Sequence, residues 1–97
     1  MPLLAPYPYI VCYDLKEPTA RYERLFTELK NSSRWSHYLT STWIVFRNDA
    51  LGELQAKLVP LIYTNDRLLI MPAKGPANGW LTKDAWDWIN KYVPNEW

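Results

Sequence analysis

A six-residue run near the amino terminus, residues 9–14, constrains the fold more than any other stretch of this sequence. It reads YIVCYD, so β-branched and aromatic residues lead to a terminal acid. Such a run predicts a buried strand. Because side chains alternate across a strand, the even-numbered residues share one face and the odd-numbered residues share the other. Both faces are apolar until Asp14, so we expect an inner strand of a sheet with the acid where it leaves the core.

The elements that follow this strand predict a second layer of helices. Residues 19–29 have apolar side chains at helical spacing and predict a first helix. A second helix is predicted to be capped by Asn48 or Asp49 and to end near Pro60, with a leucine stripe that begins at Leu51. Further strands are predicted at residues 35–39, 42–47 and 67–71. A C-terminal helix begins after Thr82 and ends at Pro94.

The order of these elements is strand, helix, strand, strand, helix, strand, then an extra helix. It predicts an α+β fold, the ferredoxin-like βαββαβ domain with a four-stranded antiparallel sheet. Because crossovers are right-handed, the third strand should lie between the first two, and the fourth should flank the first on its other side. Both crossover helices should cover one face, which leaves an apolar second face for the C-terminal helix or a partner copy to cover.

Composition indicates one globular domain. The chain has 97 residues, 48% of them hydrophobic, and we take residues 1–97 as a single domain with a proline-rich arm at 1–8 and a loop and Trp-rich helix at 73–97. In that helix Trp86 falls on the predicted buried face and Trp88 falls off it.

The net charge of +1 is lower than that of a typical dedicated DNA-binding protein. The single cysteine, Cys12, excludes an internal disulfide, and no apolar run approaches membrane-spanning length. We therefore expect a cytoplasmic setting and no membrane partner.

The predicted topology gathers polar residues at one edge of the sheet. The end of the first strand lies beside the starts of the third and fourth, so Asp14 should lie near Ser41 and Thr42 on one side and near Asp66 and Arg67 on the other. The structural alternative is that Asp14 caps the first helix or pairs with Arg67. Asp66 is either a second carboxylate or, in the favoured interpretation, a turn residue that bonds its own backbone.

The only histidine, His37, is the obvious candidate for general acid–base work. It lies on the predicted edge strand, one strand removed from Asp14, which argues against a catalytic role. A hydrolase triad of Ser41, His37 and Asp14 lacks a nucleophile elbow and a glycine-rich oxyanion loop.

Three segments together resemble a known family. They are Tyr13-Asp14-Leu15, the run TSTWIV at 40–45 and the run NDRLLI at 65–70. Over residues 9–72 the chain resembles the small CRISPR-associated Cas-two-like proteins and their VapD-like relatives, including uncharacterised members filed in the SinR family. The resemblance implies a ferredoxin-like homodimer in which Asp14 is the metal-binding and catalytic acid. It aligns Thr42, or equally Ser41, with the family's small hydroxyl residue.

Two functions follow from that resemblance. In some members the acid supports Mg²⁺-dependent cutting of RNA or DNA, which for this chain implies a nuclease with Asp14 and Thr42 at its site. Other members cut nothing, which implies a homodimeric scaffold that binds nucleic acid or protein. Candidate nucleic-acid contacts are Arg21, Arg34 and Arg67, with a solvated charged surface as the alternative.

Overall fold

The computed structural model describes residues 4–95, and it contains the four strands that the sequence predicts. The strands are β1 (Tyr7–Asp14), β2 (Arg34–Leu39), β3 (Thr42–Arg47) and β4 (Arg67–Pro72). The helices are α1 (Glu23–Lys30), α2 (Leu51–Leu58) and α3 (Lys83–Tyr92), with short 3-10 turns at Thr19–Tyr22 and Val59–Leu61.

The sheet has the order β2-β3-β1-β4, and each neighbouring pair is antiparallel. Ile10, in the middle of β1, pairs with Ile44 of β3 on one side and Met71 of β4 on the other. This order confirms the α+β, ferredoxin-like arrangement, with β3 inserted between β2 and β1. It also makes β2 and β4 the edge strands.

The hydrophobic core lies between the sheet and the first two helices. Val11, at 0% exposure, and Trp43, at 1%, supply the sheet side of the core. The helices supply a leucine stripe, because residues at i and i+4 share a helix face. The fully buried leucines are Leu25, Leu29, Leu54 and Leu58.

A buried arginine joins the ends of three elements beside this core. Arg47 is 5% exposed and donates to Glu28 Oε2 and Asp49 Oδ2, both at 2.8 Å. Burial of the guanidinium opposes its charge, but the hydrogen bonds that it donates to both carboxylates outweigh this effect and raise the pKa of Arg47. Asp49 also accepts from Lys57, and its pKa is lowered because these bonds outweigh its own burial. The network ties the end of α1 to β3 and α2.

Several predicted boundaries were wrong by a few residues. β1 begins at Tyr7, inside the predicted arm, because residues 7 and 8 continue the ladder opposite β3. The predicted cap of the second helix at Asn48 or Asp49 is wrong: the N-cap is Ala50, whose N–H donates to Glu53 Oε1 at 2.8 Å, while Arg47 and Lys57 hold Asp49. Leu51, predicted as buried, is 43% exposed because it borders the open edge at β4.

The C-terminal helix packs on the second face of the sheet. Thr82 caps it as predicted, because its Oγ1 accepts from the N–H of Ala85 at 3.3 Å. Trp88 meets Phe46 of β3 edge-on at 6.1 Å between ring centroids, so the expectation that Trp88 points away from the packed side was wrong. α3 covers only the β2–β3 half, and Leu69 and Met71 of β4 remain 55% and 45% exposed.

Some predictions fall outside the described part of the chain. Residues 1–3 of the predicted arm and Trp97 of the Trp-rich tail lie beyond residues 4–95. Within those described residues, no helix has the length and apolar character that crossing a bilayer requires.

Candidate functional site

A cleft of about 610 Å³ opens where β1 ends and the β2–β3 hairpin turns. We call it the Asp14 cleft. It combines aromatic and leucine side chains with carboxylates, hydroxyls and an imidazole. The residues that line it are Tyr13, Asp14, Leu15, Glu17, Thr19, Tyr22, Phe26, His37, Thr40 and Ser41.

Asp14 sits at the rim of this cleft in an exposed position. Its side chain is 64% exposed, and its Oδ2 accepts a hydrogen bond from Lys16 Nζ at 2.8 Å. Arg67 lies opposite Asp14 in the β1–β4 ladder, but its guanidinium donates to the carbonyl of Asp66 at 2.9 Å. Asp14 does not cap the turn before α1 either, since the N-cap there is Pro18. Neither structural alternative considered for Asp14 is therefore observed.

One wall of the cleft is a hydrogen-bonded chain that crosses three strands. Trp43 Nε1 donates to the Tyr13 hydroxyl at 2.9 Å, and that hydroxyl donates to the carbonyl of Thr40 at 3.2 Å. His37 Nε2 lies 2.9 Å from the same carbonyl. Burial raises the pKa of Tyr13, and the hydrogen bond from Trp43 opposes that rise in part. The hydroxyl of Tyr13 is therefore a neutral donor and acceptor near pH 7.

His37 lies closer to the site than its strand position implied. Its ring stacks on the indole of Trp43 with centroids 4.0 Å apart, and it lines the same cleft as Asp14. Trp43 lies on the intervening strand β3 and is 1% exposed, so its buried indole supports the His37 ring from inside the fold. A useful signal was present in the sequence, because Tyr13, Trp43 and His37 fall on the same face of three adjacent strands. A carbonyl accepts but cannot donate, so the Nε2 of His37 carries a proton.

The loop that forms the opposite wall is held by a buried acid. Asp66 is 5% exposed and accepts from the N–H of Lys16, the N–H of Tyr63 and the Tyr22 hydroxyl, all within 2.9 Å. The Tyr22 hydroxyl also accepts from the N–H of Glu17 at 3.0 Å. Burial raises the pKa of Asp66, but these hydrogen bonds outweigh it and the pKa lies below its ordinary value.

Asp66 is therefore both the turn residue that was predicted, through its bond to Tyr63, and an anchor between distant segments. With its oxygens engaged inside the fold, it does not line the cleft as a second carboxylate. The sequence did not reveal this role, because the contact with Tyr22 joins residues 44 positions apart.

Thr42, the predicted catalytic hydroxyl, points into different surroundings. Its Oγ1 is 3.6 Å from Cys12 Sγ, and it lines a narrow groove beneath α3 with Ile44 and Ile89. Ser41 lines the Asp14 cleft instead. The structure thus brings Ser41, rather than Thr42, to the predicted acid.

The three candidate nucleic-acid contacts have different surroundings. Arg21 is 61% exposed and pairs with Glu17, a cleft residue, at 3.6 Å. Arg67 lies beside Asp14 in the ladder. Arg34 lies against α3, where its guanidinium carbon is 3.8 Å from the centroid of the Tyr92 ring. Only Arg21 and Arg67 are close to residues of the cleft.

The predicted metal site has one carboxylate, that of Asp14. Among residues 4–95, no group of three or more His, Cys, Asp or Glu side chains is arranged to hold a metal ion. Mg²⁺ retains several waters and can be held by one or two carboxylates, so Asp14 fits as one ligand of such a site. Waters and an oxygen from a bound substrate would complete it.

Comparisons with known proteins add no family or function. No protein-family model, no curated protein and no solved structure matches this chain significantly. The resemblance to the Cas-two-like and VapD-like proteins accordingly stays a prediction from the residues.

Proposed function

We propose that this protein is a nucleic-acid-binding module that holds an unpaired base of single-stranded RNA or DNA in the Asp14 cleft. The observation that carries the proposal is the combination of an apolar aromatic floor with polar groups at the rim of one cleft. Its volume of about 610 Å³ lies within the range of small-ligand sites, roughly 300–1,000 Å³. A paired base inside a duplex would not reach this floor.

The floor suits the flat faces of a base. Tyr13 and Phe26 line the cleft with partly exposed rings, whose centroids lie 6.1 Å apart. Tyr22 is fully buried and supports the Phe26 ring, with the two centroids 6.5 Å apart. Stacking of a base on an aromatic side chain stabilises a complex by about 1–3 kcal/mol and tolerates any sequence. The aromatic floor therefore supports affinity for a base without the strongly positive surface of a DNA-binding protein.

The cations at the rim suit a small number of phosphates. Lys16 and Arg21 are 52% and 61% exposed, and each pairs with one carboxylate of the cleft. Exposed ion pairs of this kind contribute little, about 0–1 kcal/mol, so either cation can exchange its carboxylate for a phosphate at small cost. Two such contacts predict a shallow salt dependence, with a slope of log K against log salt of about −1.4.

The test is fluorescence anisotropy with labelled eight-nucleotide single strands and the matching duplex, in EDTA. We expect single strands to bind more tightly than the duplex, with the shallow salt slope given above. Lys16→Gln should reduce that slope by about 0.7, since one phosphate contact is lost. Lys74→Gln is the matched control, because Lys74 is exposed in the loop after β4 and, unlike Lys16, pairs with no carboxylate of the cleft among the described residues. Equal binding of the duplex, or equal effects of the two substitutions, would contradict the proposal.

A second candidate function, Mg²⁺-dependent cleavage of nucleic acid by a homodimer, is favoured by one observation. Asp14 is exposed and its carboxylate forms no ion pair with Arg67, so it is accessible to a metal and a substrate. Bound Mg²⁺ would supply an activated water and charge stabilisation. In this chain Asp14 would hold the ion, and the Lys16 ammonium would have to leave that carboxylate.

Cleavage and binding are separated by one assay. Labelled RNA and DNA are incubated with Mg²⁺, Mn²⁺ or EDTA, beside an Asp14→Ala variant whose dimer state is checked by light scattering. Metal-dependent cleavage that the variant loses would establish the second function. Binding in EDTA without cleavage in metal would leave the first alone.

A further inference from the structure

The free hydrogen-bonding groups around the Asp14 cleft are mainly acceptors. Asp14 and Glu17 each place one carboxylate oxygen on a cation, Lys16 and Arg21 respectively. Among residues 4–95, their second oxygens, Asp14 Oδ1 and Glu17 Oε2, have no hydrogen-bond partner. An ionised carboxylate accepts and cannot donate. Two fixed acceptors therefore remain at the rim for a ligand.

The imidazole at the hairpin side adds a third acceptor. In the tautomer that donates from Nε2 to the Thr40 carbonyl, the His37 ring has its lone pair at Nδ1. That carbonyl already receives two donors, from His37 and from Tyr13, so both of its lone pairs are used. It offers nothing further to a ligand.

The hydrogen-bond donors of the cleft are either rotatable hydroxyls or already bonded within the protein. Thr19 and Ser41 contribute hydroxyls, which rotate and can accept as readily as they donate. The Tyr13 and Tyr22 hydroxyls are committed to Thr40 and Asp66. A ligand that enters the cleft therefore meets a flat apolar floor and carboxylates that require donors.

We propose, on the basis of the proposed function, that Asp14 determines base specificity by favouring bases with an exocyclic amino group over uracil and thymine. Cytosine and adenine present an amino group on the edge that a protein reads, whereas uracil and thymine present a carbonyl at the corresponding position. A carboxylate accepts from that amino group and repels that carbonyl. A single hydrogen bond to a charged group corresponds to about 10- to 150-fold in affinity.

The test compares oligo-C and oligo-A with oligo-U, all five-nucleotide RNAs, by fluorescence anisotropy in EDTA. We expect the first two to bind at least about 10-fold more tightly than oligo-U, within the discrimination that a carboxylate–amino pair provides. Asp14→Asn replaces one acceptor oxygen by a donor of the same shape, so it should bring the ratio to within about 2-fold. Since Asp14 is exposed, the variant should melt at the temperature of the parent protein.

The control variant separates specificity from general affinity. Arg21→Gln should weaken all three oligonucleotides by a similar factor and keep their ratio, because a phosphate contact is independent of the base and Arg21 pairs with Glu17 rather than with Asp14. Equal affinity for the three would overturn this inference and leave the proposed function intact. A preference for oligo-C and oligo-A that survives in Asp14→Asn would overturn the assignment to Asp14. No binding of any single strand would overturn the proposed function and this inference together.

Discussion

Replacing Tyr13 by phenylalanine tests the hydrogen-bonded wall of the cleft. The change removes one oxygen and leaves the ring in place. The indole N–H of Trp43, a residue only 1% exposed, then loses its acceptor at 2.9 Å. An unsatisfied buried donor costs about 1–3 kcal/mol, while the Thr40 carbonyl keeps its bond to His37. We expect a loss of about 2 kcal/mol in the free energy of unfolding.

That loss should be easy to measure in a domain of this size. At 4–8 °C per kcal/mol, it corresponds to a fall in the melting temperature of about 8–16 °C. Urea and thermal unfolding followed by circular dichroism give both quantities. Tyr63→Phe is the matched control, because its hydroxyl is exposed and bonds a backbone carbonyl, that of Arg21, at 3.3 Å. The reasoning is refuted if Tyr13→Phe costs under about 0.5 kcal/mol, the usual limit for surface substitutions, or no more than Tyr63→Phe.

Three further predictions concern other parts of the molecule. Arg47→Met should lower the free energy of unfolding by about 3–5 kcal/mol in urea titrations, because it leaves the Glu28 and Asp49 carboxylates without their buried cation. Stability should fall as the pH drops below about 4, since the folded-state pKa values of Asp49 and Asp66 are lowered and the unfolded chain takes up the protons first. Urea titrations from pH 7 to pH 2.5 check this sign, and constant stability would contradict it. Trp80→Ala should change stability by less than about 0.5 kcal/mol, because Trp80 is 98% exposed, and should reduce the red-shifted part of the tryptophan emission.

The fold was largely predictable because its signals are local. Strand and helix periodicities depend on neighbouring residues, and the order of the elements then left one familiar topology. The exact boundaries of the helices and strands were less predictable. At the start of α2, Asp49 was the expected cap, but it bonds Arg47 and Lys57 instead. A charged partner outside the helix outweighs a local capping bond, and a local pattern does not contain that partner.

The candidate site was predictable in part. The sequence located Asp14 at the exit of an inner strand and brought Ser41 near it, since strand order and register follow from alternation. The family resemblance also named Thr42 as the hydroxyl residue of the site. In the structure, the Thr42 side chain lies on the opposite face of the sheet, beneath α3.

The sequence by itself determined the sheet order, the two covering helices and the acid at the end of β1, because these depend on patterns a few residues long. Only the tertiary structure decided which polar groups share the cleft. It placed His37 on the indole of Trp43 and buried Asp66 against Tyr22, contacts that join residues 6 and 44 positions apart across packed elements. Such contacts depend on side-chain size, direction and desolvation in three dimensions, and these quantities are set only when the whole core packs.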